Sequence, residues 1–392
     1  MKHKYIAKRY WKDKSTPMSV VDELAKKYND VIDLSLGDPD QTTDEGIINF
    51  AFQEALKGHT KYTDFRGDPE LRNEIRKFYK EEYNANIQDE EIMISTSACL
   101  GMYLALESIL DPDDEVIIHS PYFTPYSQQI ELARGVPVEL DTFEEDEFQI
   151  NINRLEEVIT ERTRAIIINS PNNPTGAVFS FDTLNNIAEI AIKYDLIIIA
   201  DEIYGSYTFD DDFVSMILFN KIRDRLIILN SFSKDYTMTG WRIGNIIAPK
   251  EIINTCQIIN ENVVFTAPSI SQRGAIYALQ NRKRIQPPAV KLYKERVLYA
   301  AKRINQILWM SVLKPKGTFY LYINIKNSKL TSAQASALIL DKAQVLTIPG
   351  NAFGACGEGY IRIACTVDIK ELERAFDRIE KIKLGKNFTS TL

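Results

Sequence analysis

The stretch SFSKDYTMTGWRIG, residues 231–244, sets two hydroxyls (Ser231 and Ser233), an amine (Lys234) and a guanidinium (Arg242) in close succession. It follows LIILN, 226–230, an apolar β-branched run of the kind expected of a strand buried on both faces. A lysine at the carboxyl end of such a strand lies where open α/β sheets hold their ligands. Lysine is also the side chain that forms an imine with an aldehyde. Two further runs end in polar chemistry: AIIIN, 165–169, breaks into SPNNPTG, 170–176, and LIIIA, 196–200, ends at Asp201 with Tyr204 three residues on.

Taken singly, Lys234 reads as a solvated loop lysine, Asp201 as a strand-end cap and Asn173 as a turn former. Taken together, they are what an aldehyde cofactor with a pyridine ring requires. Such a cofactor needs a lysine for the imine, a carboxylate to keep the ring nitrogen protonated, and neutral donors for the ring oxygen. The set therefore reads as a site for pyridoxal 5'-phosphate.

The chain resembles the fold-type I pyridoxal-phosphate aminotransferases of the class I/II, aspartate/aromatic type. The resemblance rests on NNPTG, ADEIY, SFSK, the arginine eight residues after the lysine, and GEGYIRIAC, in that order, and runs from about LSLGDPD at residue 34 to near the C-terminus. It implies an α/β fold, a three-layer sandwich around a mostly parallel mixed sheet, with a smaller α+β domain. It implies ping-pong transfer of an amino group between an L-amino acid and a 2-oxo acid such as 2-oxoglutarate, with aspartate or aromatic donors. Catalytic roles fall on Lys234, Asp201 and Tyr204, with Asn173 and Tyr204 bonding the ring oxygen and Arg242 and Ser231 anchoring the phosphate. The arginine of YIRIAC, Arg362, would clamp the substrate carboxylate in a bidentate fork; by its residues alone, a buried strand arginine reads equally as half of a structural salt bridge.

Other positions carry two readings. Gly37, in the LGDPD turn, is a plain turn glycine or, by the resemblance, the point where backbone approaches substrate. Tyr62 is a half-buried loop aromatic or the family's tyrosine that crosses a homodimer interface to the neighbouring phosphate. Ser97, Ala98 and Cys99 open a helix after the strand EIMIS, and free amides there suit a phosphate. Phe123 is core packing or a ring stacked on the pyridine.

The rest of the chain must position these groups. Strand and helix patterns alternate through 115–248, predicting a largely parallel sheet with helices on both faces and 242–248 returning antiparallel. Helices are expected over 45–57, 152–160 and 181–194, with Asp68 and Pro69 starting another that buries Leu71, Ile75 and Phe78. Past 285 the elements become shorter and mixed: a helix over about 288–308 after Pro287-Pro288, three strands, and a helix opened by Asp368 with Glu371 in capping-box spacing. The expected division is an arm over 1–17, a small domain over 18–45 and 286–392, and a large cofactor-binding domain over 46–285. A helix over 19–28 belongs to the small domain.

Composition bounds the alternatives. At 392 residues the chain predicts two domains. A net charge of −7 argues against nucleic-acid partners. Four cysteines without metal or disulfide spacing and three histidines argue against a metal site and suit a reducing cytoplasm. The basic arm lacks the apolar core of a secretory signal, no run of about 18 apolar residues spans a membrane, and the arm reads as a solvated or partner-hugging tail. A carbon-sulfur β-lyase or racemase on the same cofactor remains an alternative, as does a ligand sensor on this fold. A dinucleotide-dependent dehydrogenase is a weaker alternative still, because no G-x-G-x-x-G follows a strand.

Overall fold

Among the described residues twelve strands carry the architecture: β1 Ile32–Asp33, β2 Ile92–Ser95, β3 Glu115–Ser120, β4 Val136–Asp141, β5 Thr163–Asn169, β6 Ile197–Asp201, β7 Leu226–Ser231, β8 Gly244–Ile247, β9 Tyr320–Asn324, β10 Val345–Leu346, β11 Ile348–Pro349 and β12 Tyr360–Ala364. They were determined in a computed structural model that describes residues 3–11, 25–210 and 212–384. Residues 19–24 of the helix expected over 19–28 and much of the basic arm lie outside the described residues.

Seven strands form the main sheet in the order β2-β8-β7-β6-β5-β3-β4. From β4 to β7 every pairing is parallel, and β8 runs antiparallel to both β7 and β2, as its sequence predicted. The near-continuous apolar runs are explained by burial on both faces. With a period of two, Ile166, Ile168, Ile198 and Ile228 pack on one side with Ile75 and Ile187. Ile167, Ile199 and Ile227 pack on the other with Met102, Leu104 and Ile253. Each isoleucine so buried contributes roughly 1.5–3 kcal/mol relative to exposure, which fixes the strand ends in place.

Helix boundaries follow local chemistry. Asp68 caps Pro69–Tyr83 by accepting from Glu70 N, with Pro69 in the first turn. Ser180 caps Phe181–Lys193, and Asp44 caps Glu45–Leu56. In Pro69–Tyr83 the inward stripe is Leu71, Ile75 and Tyr79, with Phe78 half-buried.

The second core is built from β11-β12-β9, the β1-β10 pair, and helices Arg282–Ile304, Ser332–Ala343 and Ile369–Ile379. Asp368 caps the last helix through Lys370 N and Glu371 N. The helix placed over about 288–308 begins a turn and a half earlier, at Arg282, and contains Pro287 and Pro288. Each proline removes one amide from the helical ladder, but the residues whose carbonyls lose those bonds, Lys283 and Arg284, are exposed to water. Two helices before it, Lys250–Val263 and Ser269–Gln280, had not been placed. The helix expected over 152–160 closes at Glu157.

Candidate active site

The carboxyl ends of β5, β6 and β7 lie side by side, with Asn169 paired to Asp201 and Asp201 to Leu229. That register brings the 170–176 turn, Asp201 and Lys234 to one edge of the sheet. Two adjoining hollows open there, both lined by Phe123, Tyr126, Asp201, Ile203 and Lys234. One extends to Gly37, Asn173, Tyr204, Tyr320 and Arg362. The other extends to Ser97, Ala98, Cys99, Ser231, Ser233 and Arg242. The cleft thus has a guanidinium at each end and an amine in the middle.

Lys234 sits on a single turn, Phe232–Asp235, that begins as β7 ends and is capped by the Ser231 hydroxyl accepting from Ser233 N. Its Nζ donates to Gly37 O. Burial, partly countered by Asp38 and reinforced by Arg362 and Arg242, pushes the amine down to about 8. Asp201 is 5 % exposed. It accepts from Tyr126 Oη at 2.5 Å and from Ile203 N at 3.3 Å, and burial raises it to about 6. Among the described residues it has no cationic partner within salt-bridge distance.

At the Arg242 end, the helix Ser97–Ile109 points its first turn into the hollow, where helical amides have no intrahelical acceptor. Ser97 adopts φ 73° to make the turn. Gly244 opens β8 against this turn, where a Cβ would lie 2.6 Å from Ala98 N. Arg242 is held by Nη1 donating to Thr239 O at 2.7 Å. The Ser231 hydroxyl lies 2.9 Å from that of Ser233.

At the other end, Arg362 on β12 is 3 % exposed. Its Nη1 donates to Asn173 Oδ1 at 3.1 Å and Nη2 to Ser35 O, while Nε is buried without an acceptor. The guanidinium lies between the rings of Tyr320 at 4.6 Å and Phe353 at 4.9 Å. No carboxylate pairs with it among the described residues, so the salt-bridge reading falls. Tyr204 is buried, its hydroxyl 3.1 Å from that of Tyr320. Burial holds the phenols of Tyr126 and Tyr204 well above their ordinary range, so both stay protonated as donors.

The structure therefore gathers Gly37, Ser97, Ala98, Cys99, Phe123, Asn173, Asp201, Tyr204, Ser231, Lys234, Arg242 and Arg362 around one cleft. Tyr62 is not among its lining residues: it is 79 % exposed and packs edge-on against Phe265. Sequence reading missed Tyr126, Tyr320 and Asn169. Tyr126 was detectable, since it follows Phe123 by three residues at a helix start; Tyr320 reads only as core. Asn169 accepts from Asn173 N through Oδ1, and its backbone N–H donates to Nε2 of a buried His119 whose imidazole burial pushes down to about 4.

The sequence profile of the family described as Aminotransferase class I and II matches residues 29–379. An aspartate aminotransferase of Pyrococcus horikoshii is 38% identical over 98% of this chain and 99% of its own length. An aromatic-amino-acid aminotransferase of Thermococcus litoralis is 36% identical over 92% of this chain and 93% of its own. The crystal structure of an aromatic aminotransferase from Pyrococcus horikoshii superposes with a TM-score of 0.88 at 36% identity, covering 92% of this chain and 98% of that one. The fold is that of an α/β enzyme of the fold-type I class. The chain belongs to the class I and II aminotransferase family, and it is an aminotransferase rather than a lyase or a sensor. Among the described residues there is no cluster of three or more potential metal ligands, and no helix is long and apolar enough to cross a membrane.

Proposed function

We propose that this enzyme holds pyridoxal 5'-phosphate on Lys234 and moves an amino group from an L-amino acid, aspartate or an aromatic one, to a 2-oxo acid such as 2-oxoglutarate. The observation that carries this reading is the buried Asp201 carboxylate, which faces the cavity with no cation within salt-bridge distance among the described residues, in a cleft shared with an amine depressed to about 8. A carboxylate so buried needs a positive partner, and a protonated pyridine nitrogen supplies one. The free first-turn amides at Ser97–Cys99 and the Arg242 fork fit a phosphate.

Bound, pyridoxal phosphate supplies an electron sink for a substrate that has lost its Cα proton. Asp201 keeps the ring nitrogen protonated, and Tyr126 holds that carboxylate in place. Asn173 and Tyr204 would donate to the ring oxygen, and Phe123 would pack against the ring. Ser231, Arg242 and the amides of Ser97, Ala98 and Cys99 hold the phosphate. Arg362, with Nε and the outer guanidinium hydrogens uncommitted, receives the substrate carboxylate. Lys234 would be the base that takes the Cα proton, which its lowered pKa allows near neutral pH.

The exposed aromatic cluster of Tyr62, Phe65 and Phe265 supports a homodimer in which Tyr62 reaches the neighbouring site. The four unpaired cysteines support a cytoplasmic setting. We take the division into a large domain, 46–285, and a small one, 18–45 with 286–392, as the unit of any closure over the cleft.

The test is a panel of amino donors mixed with the loaded enzyme without acceptor, followed by 2-oxoglutarate. Donor alone should move the visible absorbance to that of the amine form, and acceptor should restore it with formation of glutamate. A colourless protein that takes up no aldehyde would defeat the reading.

A further inference from the structure

Tyr320 lies against three residues singled out from the sequence, Arg362, Tyr204 and Gly37. It opens β9, which pairs antiparallel with β12 so that Tyr322 faces Arg362 and Tyr320 faces Ala364. Tyr320 is therefore the diagonal neighbour of Arg362 on the same sheet face, within reach of an aromatic ring. Its ring lies 4.6 Å from the guanidinium. Its hydroxyl lies 3.1 Å from that of Tyr204. The same hydroxyl fills the space beside Gly37, where a Cβ would come within 1.7 Å of it, and Gly37 O in turn accepts from Lys234. Tyr320 is itself buried, so these contacts are fixed by packing rather than chosen from many rotamers.

We propose that Tyr320 is a positioning residue: its ring sets the plane of Arg362 for the substrate carboxylate, and its hydroxyl directs the single proton of Tyr204 into the cleft. The second half follows from counting donors. A phenol has one proton and two lone pairs. If Tyr204 spends its proton on the ring oxygen, the bond between the two hydroxyls must run from Tyr320 to Tyr204. A phenol that accepts one hydrogen bond is a stronger donor in the next. This inference rests on the pyridoxal phosphate reading above.

Two variants separate the roles. In Tyr320→Phe the ring stays and the hydroxyl goes. Weaker donation from Tyr204 stabilises the anionic ring oxygen less, so the pH midpoint of the visible band should rise by roughly half a unit to one unit. The dissociation constants of two unreactive carboxylates, maleate and 3-phenylpropionate, should stay within about twofold, because the ring face is intact. In Tyr320→Leu the ring is lost as well, and both carboxylates should bind roughly 5- to 20-fold more weakly. A purely structural role would move both readouts together in both variants, and that result would overturn the proposal. So would a Tyr320→Phe titration that matches the wild type. A wild-type protein with no visible band removes the cofactor reading and this inference with it, whereas a normal wild-type band with unresponsive variants removes the inference alone.

Discussion

The phenol of Tyr126 donates to Asp201 Oδ2 across 2.5 Å, the one side-chain hydrogen bond that this buried carboxylate receives among the described residues. Tyr126→Phe should leave the carboxylate with the Ile203 amide alone. A hydrogen bond to a charged group is worth about 1.5–3 kcal/mol, so kcat should fall by roughly one to two decades. Steady-state kinetics check it, and an unchanged kcat would show that Asp201 keeps its charge without Tyr126.

Asp201 also carries a stability cost in the cofactor-free protein. Its folded pKa, about 6, lies above its ordinary value of 3.8. The folded state therefore holds its proton more tightly, and the cost of ionising it is absent below about 3.8 and complete above about 6. Asp201→Asn should stabilise the cofactor-free protein at pH 8 by up to about 3 kcal/mol, and by less at pH 5. Denaturant unfolding at the two pH values measures this, and a gain independent of pH would contradict it.

Lys234 is depressed to about 8, chiefly by burial. Below that pH the amine is charged and cannot attack an aldehyde. The rate at which cofactor-free protein acquires its visible band should rise with pH and level off above about 8, well short of the 10.5 of an ordinary lysine. Lys234→Ala should acquire no band and no turnover. A rate still climbing steeply at pH 10 would show that the amine is not desolvated as the geometry implies.

Arg362 offers a planar fork between Tyr320 and Phe353. Arg362→Lys keeps a charge but loses the fork and the stacking. Losing one bidentate, buried contact should lower kcat/KM by about two decades or more, equivalent to ~3 kcal/mol. Maleate should bind correspondingly more weakly. Kinetics close to wild type would mean that the carboxylate is held elsewhere.

Much of this protein is written locally. The β-branched runs of 165–169 and 226–230, the Asp68-Pro69 helix start and the polar turns after each strand depend on steric and hydrogen-bonding preferences acting over a few residues, and the structure keeps them. Because sheet ligands lie beyond strand ends, those turns also marked out Asn173, Asp201 and Lys234. The Pro287-Pro288 pair misled for the same reason: a local helix-start signal was overridden where the lost bonds face water.

Other features were decided only when distant segments met. Tyr126 reaches Asp201 across 75 residues of sequence, Tyr320 reaches Tyr204 across 116, and Arg362 reaches Asn173 across 189. No period or cap encodes such contacts. They exist because the register of β5, β6 and β7 and the pairing of β9 with β12 bring the segments that carry these side chains around one hollow. The sequence by itself determined which groups stand at the strand ends; the tertiary structure decided which neighbours hold them and in what electrostatic state.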